Sequence, residues 1–123
     1  MLNLAANTRI FLAVEPTDMR KGFDGLFTLV ENVIEQDPFC GHLFVFRNRR
    51  RDRLKIMWWD RDGLAIWYKR LEKGSFQFPT DLAGVADELP RRCEMRAEEF
   101  AMLLGGLDLT GARRRKRYER QSA

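Results

Sequence analysis

The feature that most constrains this chain is a series of short runs rich in apolar and aromatic residues from His42 to Phe78, separated by short polar turns. Such runs predict β-strands, and turns of two to five residues favour an antiparallel meander. Asp62-Gly63 is a typical hairpin signal. The strands are predicted at His42–Arg47, Arg53–Asp60, Leu64–Leu71 and Ser75–Phe78. Within the second, Leu54, Ile56 and Trp58 should face one side, and Lys55, Met57 and Trp59 the other.

The residues before this run predict one more strand and one helix. Arg9–Val14 is rich in strand-forming types and is closed by Pro16. Thr17 or Asp18 then suits a helix N-cap. An amphipathic helix is predicted over Lys21–Gln36, because its apolar residues recur with the helical period until Pro38. The helix stripe comprises Phe23, Leu26, Phe27, Val30, Val33 and Ile34.

The C-terminal third is less regular. Thr80–Arg92 is interpreted as a loop, and Arg96–Leu104 as a second helix stopped by Gly105-Gly106. The fold class is therefore α+β, with an antiparallel sheet of about four to five strands, one long amphipathic helix and a C-terminal helix. A single domain is expected over residues 1–109, followed by a basic, disordered tail over 110–123.

Positive charge is concentrated in two places. The formal net charge is +4, yet residues 110–123 contain six basic and one acidic residue, a net +5. Residues 47–55 carry another net +5. Concentrated arginine favours binding to a polyanion, because guanidinium groups bind phosphates and guanine edges bidentately. The predicted nucleic-acid contacts are Arg47, Arg49, Arg50, Arg51, Arg53 and Lys55 in a hairpin, and Arg113, Arg114, Arg115, Lys116 and Arg117 in the tail.

Two further groups have both a functional and a purely structural interpretation. Trp58, Trp59 and Trp67 can stack on bases or anchor a protein interface, although aromatic residues more often fill a core. Arg20 and Lys21 lie at the N-terminal end of the predicted helix and can form an anion site, although the same segment also suits simple helix capping.

The sequence gives little support for a catalytic site or a metal site. The single histidine, His42, excludes His-pair metal sites and the familiar nucleophile triads. Asp60 and Asp62 flank a turn that favours aspartate for backbone reasons. No glycine-rich phosphate loop occurs, and two cysteines are too few for a disulfide scaffold. We expect no enzyme activity, metal or cofactor, no membrane span and a cytoplasmic location, and keep a small metal-dependent nuclease as a third alternative.

Several motifs resemble one known family. TDMRKGFDGL (Thr17–Leu26), GHLFVFRNRRRDRLKIMWWDRDGL (Gly41–Leu64), KRLEKGSFQFP (Lys69–Pro79) and AMLLGGLDL (Ala101–Leu109) are similar to the second-open-reading-frame proteins of the insertion-sequence-sixty-six class. These are also called TnpB accessory proteins and differ from the RNA-guided nucleases of that label. The resemblance covers about nine-tenths of the chain, and the tail departs from it.

The resemblance implies a role in DNA transposition beside a larger transposase that carries the catalytic acids. It supplies no agreed biochemical activity and no catalytic residue. Combined with the basic blocks, it favours a non-catalytic accessory protein that binds DNA, with RNA left open. The alternative is a protein–protein adaptor for the separate transposase, in which the tryptophans would form the interface. Oligomeric state does not follow from the sequence.

Overall fold

The computed structural model describes residues 6–78 and 91–105, which form an α+β fold with a five-stranded sheet. The strand order is β4-β3-β2-β1-β5. In chain order the elements are β1 Ile10–Ala13, α1 Phe23–Leu29, β2 Leu43–Arg47, β3 Arg53–Asp60, β4 Gly63–Arg70, β5 Arg92–Met95 and α2 Ala97–Gly105.

The sheet is mixed, which corrects the predicted all-antiparallel meander. β1 and β2 are parallel, with Ile10 opposite Leu43, whereas the other three neighbouring pairs are antiparallel. Parallel neighbours need a long crossover, and α1 provides it. The strand–helix–strand order of residues 9–47 thus determines the local topology.

The first helix is shorter than the predicted Lys21–Gln36. α1 has seven residues and continues as a five-residue π-helical turn, Val30–Ile34, which stops at Glu35 with φ of 59°. Gly22 occupies the N-cap without a side-chain hydrogen bond. Of the residues predicted to form the apolar face of this helix, Leu26, Val30 and Ile34 are buried. Phe23, the first of them, is 51% exposed. A single long amphipathic helix was therefore wrong.

The C-terminal half contains two further corrections. Ser75–Phe78 is not a strand; it is an irregular segment that buries Phe76 and Phe78. The unpredicted strand is β5, which pairs with β1 from Arg92 to Met95. Most of the predicted loop Thr80–Arg92, and the whole tail over 110–123, lie outside the described residues.

The two faces of the sheet carry separate cores. One contains Leu12, Val45 and Ile56 and is covered by Phe76 and by Phe100 of α2. The other contains α1 and the opposite side chains of the same strands. The predicted alternation in β3 is confirmed, because Leu54, Ile56 and Trp58 belong to the first core, and Met57 belongs to the second. The α1-side core consists of Phe11, Ala13, Leu26, Val30, Ile34, Phe44, Phe46 and Met57.

Candidate nucleic-acid interface

The arginine-rich hairpin is built around the side chain of Asn48. Its Oδ1 accepts hydrogen bonds from the amides of Asp52 and Arg53 at 3.1 and 3.0 Å, and its Nδ2 donates to Asp52 Oδ1 at 2.6 Å. An asparagine that bonds the backbone ahead of it holds a turn in place. The connection between β2 and β3 therefore has a defined shape.

Arg51 occupies a strained position in that loop. Its φ is 60°, and a left-handed conformation costs a non-glycine residue about 1–2 kcal/mol. Neighbouring segments hold it there, since the Arg51 amide donates to Asn48 O at 3.2 Å and Arg51 O accepts from the Phe76 amide at 2.7 Å. Its guanidinium carbon lies 6.0 Å from the centre of the Phe78 ring. Arg51 thus leans against the core side of the loop.

Arg47, a predicted nucleic-acid contact, is used inside the chain. Only 7% of the residue is exposed, and its Nη2 donates to Val14 O at 2.6 Å. Arg47 O also accepts a 2.7 Å hydrogen bond from the Thr17 amide. Burial lowers the pKa of Arg47, and nearby Arg51 and Arg49 lower it further. The residue fixes the segment after β1 against the end of β2.

Lys55 has a structural role similar to that of Arg47, on the opposite face of the sheet. It is 8% exposed, and its Nζ donates to Met19 O at 2.7 Å and to Lys21 O at 2.8 Å. The ammonium also lies 4.7 Å from the centre of the Tyr68 ring, within cation–π range. Lys55 therefore fixes the turn that precedes α1.

An open groove of about 360 Å³ lies between the hairpin loop and the segment after β1. Arg47 and Lys55 do not line it, but their hydrogen bonds hold residues 14–21 in place, and part of that segment becomes one wall of the groove. The other wall is the loop and the start of β3. The lining residues are Thr17, Asp18, Met19, Asn48, Arg49, Arg50, Asp52 and Arg53.

The cations available to a ligand are those on the rim. Arg49 and Arg50 are exposed, and neither side chain has a hydrogen bond or ion pair within the described part of the chain. Arg53 is half-buried, and its Nη1 donates to the Tyr68 hydroxyl at 3.3 Å. Of the six predicted hairpin contacts, the structure thus presents two as free guanidinium groups and a third beside them.

The predicted anion site at Arg20 and Lys21 is only partly open. Arg20 Nη2 lies 2.7 Å from Asp18 Oδ2, and this pairing lowers the pKa of Asp18 to about 2. Arg20 therefore compensates the one carboxylate that the turn contributes to the groove wall. Lys21 is exposed, and its aliphatic chain lies against Gly25. A Cβ atom at position 25 would come within 3.0 Å of it.

The tryptophans divide between the two sheet faces. Trp58 and Trp67 are partly buried and pack against the core that α2 covers. Trp59 lies on the other face, with its ring 5.2 Å from Phe39 in an edge-on arrangement. Phe39 is 52% exposed and also contacts Phe27, with ring centres 5.4 Å apart. Trp59 thus belongs to an aromatic cluster that reaches the surface.

Other kinds of site are not apparent in residues 6–78 and 91–105. This part contains no group of three or more His, Cys, Asp or Glu side chains placed to hold a metal ion. None of its helices has the length and apolar character that crossing a membrane requires. Cys40 and Cys93 are not joined in a disulfide. The predicted contacts in the tail, residues 113–117, lie outside these ranges.

Sequence reasoning missed the residues that shape the groove. Asn48 is the organiser of the loop, and its signal was present as an asparagine followed four residues later by Asp52. Thr17 was interpreted as a cap, yet it is buried in the groove wall and its amide bonds Arg47 O. Counting charges cannot reveal either role.

Comparison with known proteins places the chain among mobile-element proteins. The model of a family described as "IS66 Orf2 like protein" matches residues 8–114. Two relatives come from Sinorhizobium fredii (strain NBRC 101917 / NGR234). "Uncharacterized protein y4jC" is 39% identical over 94% of this chain and 92% of its own, and "Uncharacterized protein y4hO" is 36% identical over 88% of each. No solved structure matches the chain.

Proposed function

The chain belongs to the IS66 Orf2-like family, and from this premise we propose that it is a non-catalytic accessory protein of transposition that binds the DNA backbone. The observation that carries the proposal is the pair of free guanidinium groups, Arg49 and Arg50, on the rim of a shaped groove. Arginine presents planar donors that match phosphate oxygens bidentately.

The electrostatics of the groove support an anionic ligand. Asp18 is compensated by Arg20, and Asp52 accepts a hydrogen bond from Asn48. Asn48 is neutral, so Asp52 keeps its negative charge, but with Asp18 compensated, Arg49, Arg50 and Arg53 outweigh it in the groove lining by a net charge of +2 (three basic less one acidic). Neither Arg49 nor Arg50 forms an ion pair among the described residues. Contacts of this kind position a protein on a duplex without reading its sequence. We therefore propose phosphate binding, rather than base recognition, at this loop.

Salt-dependent binding to a duplex from the ends of the element tests the proposal. Each phosphate contact contributes about 0.9 to the slope of log K against log salt on duplex DNA. We expect Arg49→Ala and Arg50→Ala each to flatten the slope by about 0.9, and the double variant by about 1.8. The assay is fluorescence anisotropy over a salt series.

Arg61→Asn is the matched control. Arg61 is exposed at the turn between β3 and β4, away from the groove, and asparagine tolerates its φ of 57°. This variant removes one positive charge and should leave the slope unchanged. An unaltered slope and affinity in the Arg49→Ala/Arg50→Ala protein would refute the assignment of DNA binding to the loop.

An adaptor for the transposase is the second candidate, favoured by the exposed aromatic cluster. Phe23 and Phe39 are 51% and 52% exposed, and Phe39 contacts Phe27 and Trp59. Exposed aromatic groups of this kind are typical anchors of protein interfaces. Capture of the purified transposase after nuclease treatment, lost in a Phe39→Ser variant but kept in Arg49→Ala/Arg50→Ala, would favour this function. Capture that requires both arginines would instead indicate bridging by DNA.

A further inference from the structure

The edge strand β4 is long and apolar, and no described strand lies beyond it. β4 spans eight residues, Gly63–Arg70, and pairs along its whole length with β3 on one side. A free edge presents a row of unpaired amides and carbonyls to other chains, and natural proteins usually shorten or block such edges. We propose that β4 pairs antiparallel with β4 of a second copy, so that two sheets become one across a two-fold axis.

The backbone groups available for this pairing follow from the register. Leu71 N donates to Asp52 O at 2.7 Å, which continues the hydrogen-bonded ladder with β3 just past the end of β4. Inward and outward residues alternate along an antiparallel strand. The amides and carbonyls of Leu64, Ile66, Tyr68 and Arg70 therefore point away from β3, towards a new partner.

In one register of this pairing, apolar side chains of the two β4 strands lie opposite each other. When Ile66 lies opposite Ile66 of the second copy, Leu64 faces Tyr68 and Ala65 faces Trp67. Each of these side chains is half-buried or exposed in the monomer, and Tyr68 is 47% exposed. Cross-strand pairs between apolar and aromatic residues stabilise a sheet, so this pairing covers surface that the single chain leaves in water.

The same register brings opposite charges together at both ends of the interface. It places Asp62 of one copy opposite Arg70 of the other, twice by symmetry. Within the monomer Arg70 lies opposite Arg53, and like charges in directly opposed positions destabilise a sheet. Its own acidic neighbour, Glu72, is exposed and 3.4 Å away. A carboxylate from the second copy would relieve the repulsion with Arg53.

Neither of the two neighbouring registers has this complementarity. A shift that centres the axis on Ala65 would set Asp62 against Tyr68 and leave Arg70 beyond the start of β4 in the other copy. A shift that centres the axis on Trp67 would set Arg70 against Leu64 and Asp62 against Glu72. A parallel pairing would put like-charged ends side by side. The arrangement of charge and apolar residues along β4 is thus self-complementary in the antiparallel register about Ile66, as an isologous two-fold interface requires. This property selects a second copy of the chain over an unrelated peptide.

A charge-swap series on the purified, nuclease-treated full chain tests the proposal by sedimentation velocity over a concentration series. The unmodified chain should sediment as a concentration-dependent dimer. Asp62→Arg or Arg70→Asp should raise the dimer dissociation constant about tenfold or more, because each change introduces two like-charge contacts. Asp62→Arg together with Arg70→Asp should restore the dimer, which a merely misfolded protein would not do.

Two more variants sharpen the outcome. Ile66→Pro removes an amide that points away from β3, so it should abolish the dimer while circular dichroism shows an intact fold. Arg91→Asp makes the same charge change beside the opposite edge strand and should leave the dimer unaffected. A chain that is monomeric throughout, or a dimer unaffected by Asp62→Arg, Arg70→Asp and Ile66→Pro, would overturn the proposal. Because no nucleic acid is present, either result leaves the DNA-binding proposal to its own test.

Discussion

The buried ammonium of Lys55 offers the sharpest test of how the groove is built. Lys55→Met keeps a flexible apolar chain of similar length but removes hydrogen bonds of 2.7 and 2.8 Å to Met19 O and Lys21 O. A hydrogen bond to a charged group contributes about 1.5–3 kcal/mol. Water can partly replace the donor, because Met19 is only half-buried and Lys21 is exposed. We therefore expect the free energy of unfolding to fall by about 2–3 kcal/mol rather than by the full sum.

Urea denaturation measures this loss, and an unchanged m-value would show that the mutation altered stability alone. The corresponding drop in melting temperature is about 10 °C for a chain of this size. Lys73→Met is the control, since Lys73 is an exposed lysine in the turn after β4 and should change stability by less than about 0.5 kcal/mol. A Lys55→Met protein within that same margin of the unmodified chain would refute the assignment of Lys55 to a structural role.

Two other expectations concern the acid side of the pH range and the core that α2 covers. The pKa of Asp18 is lowered to about 2, first by the hydrogen bonds from the Arg20 side chain and then by the one from the Arg20 amide. Its contribution to stability is therefore present above the ordinary carboxyl pKa and is lost as pH falls through about 2. In Arg20→Ala an NMR titration should find that pKa raised but still below the ordinary aspartate value, because the backbone amide still donates, and an unchanged pKa would contradict the pairing. Phe100 is 2% exposed where α2 meets the sheet, so Phe100→Ala should cost about 3–5 kcal/mol in urea denaturation. A loss below about 1 kcal/mol would mean that α2 is not packed there.

The sequence predicts the antiparallel part of the fold well because the hairpins are local. β3 matches its prediction at both ends, and the turn of Arg61 and Asp62 lies where the Asp-Gly signal indicated a hairpin. The parallel pairing of β1 with β2 was missed, although a strand, a helix and a strand in succession is the pattern that produces it. β5 was missed because its pairing partner, β1, lies about eighty residues earlier, and local periodicity carries no information on such a contact.

The predicted start of the first helix was wrong for a different physical reason. Thr17 and Asp18 suit an N-cap, but the Thr17 amide donates to Arg47 O, and the Asp18 carboxylate accepts from the amide and the side chain of Arg20. A tertiary contact thus fixes Thr17 and a local turn uses the Asp18 carboxylate, so the helix begins only after Gly22. Propensity is a weak prior when a segment has such alternative partners.

The basic residues between 47 and 55 differ in exposure according to whether they lie in a strand or in the loop. Arg47 is the last residue of β2 and Lys55 the third of β3, so both side chains are fixed on a sheet face where neighbouring segments cover them. Arg49 and Arg50 lie in the loop, where no such layer exists among the described residues. A net charge counted over residues 47–55 therefore overstates what a ligand can meet. Arg47 and Lys55 are buried and fix a wall of the groove, Arg51 and Arg53 are half-buried, and Arg49 and Arg50 face solvent.

This division makes the salt slope of the unmodified protein informative by itself. Six phosphate contacts from the hairpin would give a slope of about −5.4 on duplex DNA, whereas Arg49 and Arg50 alone give about −1.8, or about −2.7 with Arg53. Because Arg47 and Lys55 are buried, a slope steeper than about −3 cannot come from the rim of the groove. It would have to come from basic residues elsewhere, for which the five of residues 113–117 are the natural source. Deleting residues 110–123 should then return the slope to about −2 to −3, and a truncated protein that keeps the steep slope would show that the additional phosphate contacts come from basic residues outside the tail.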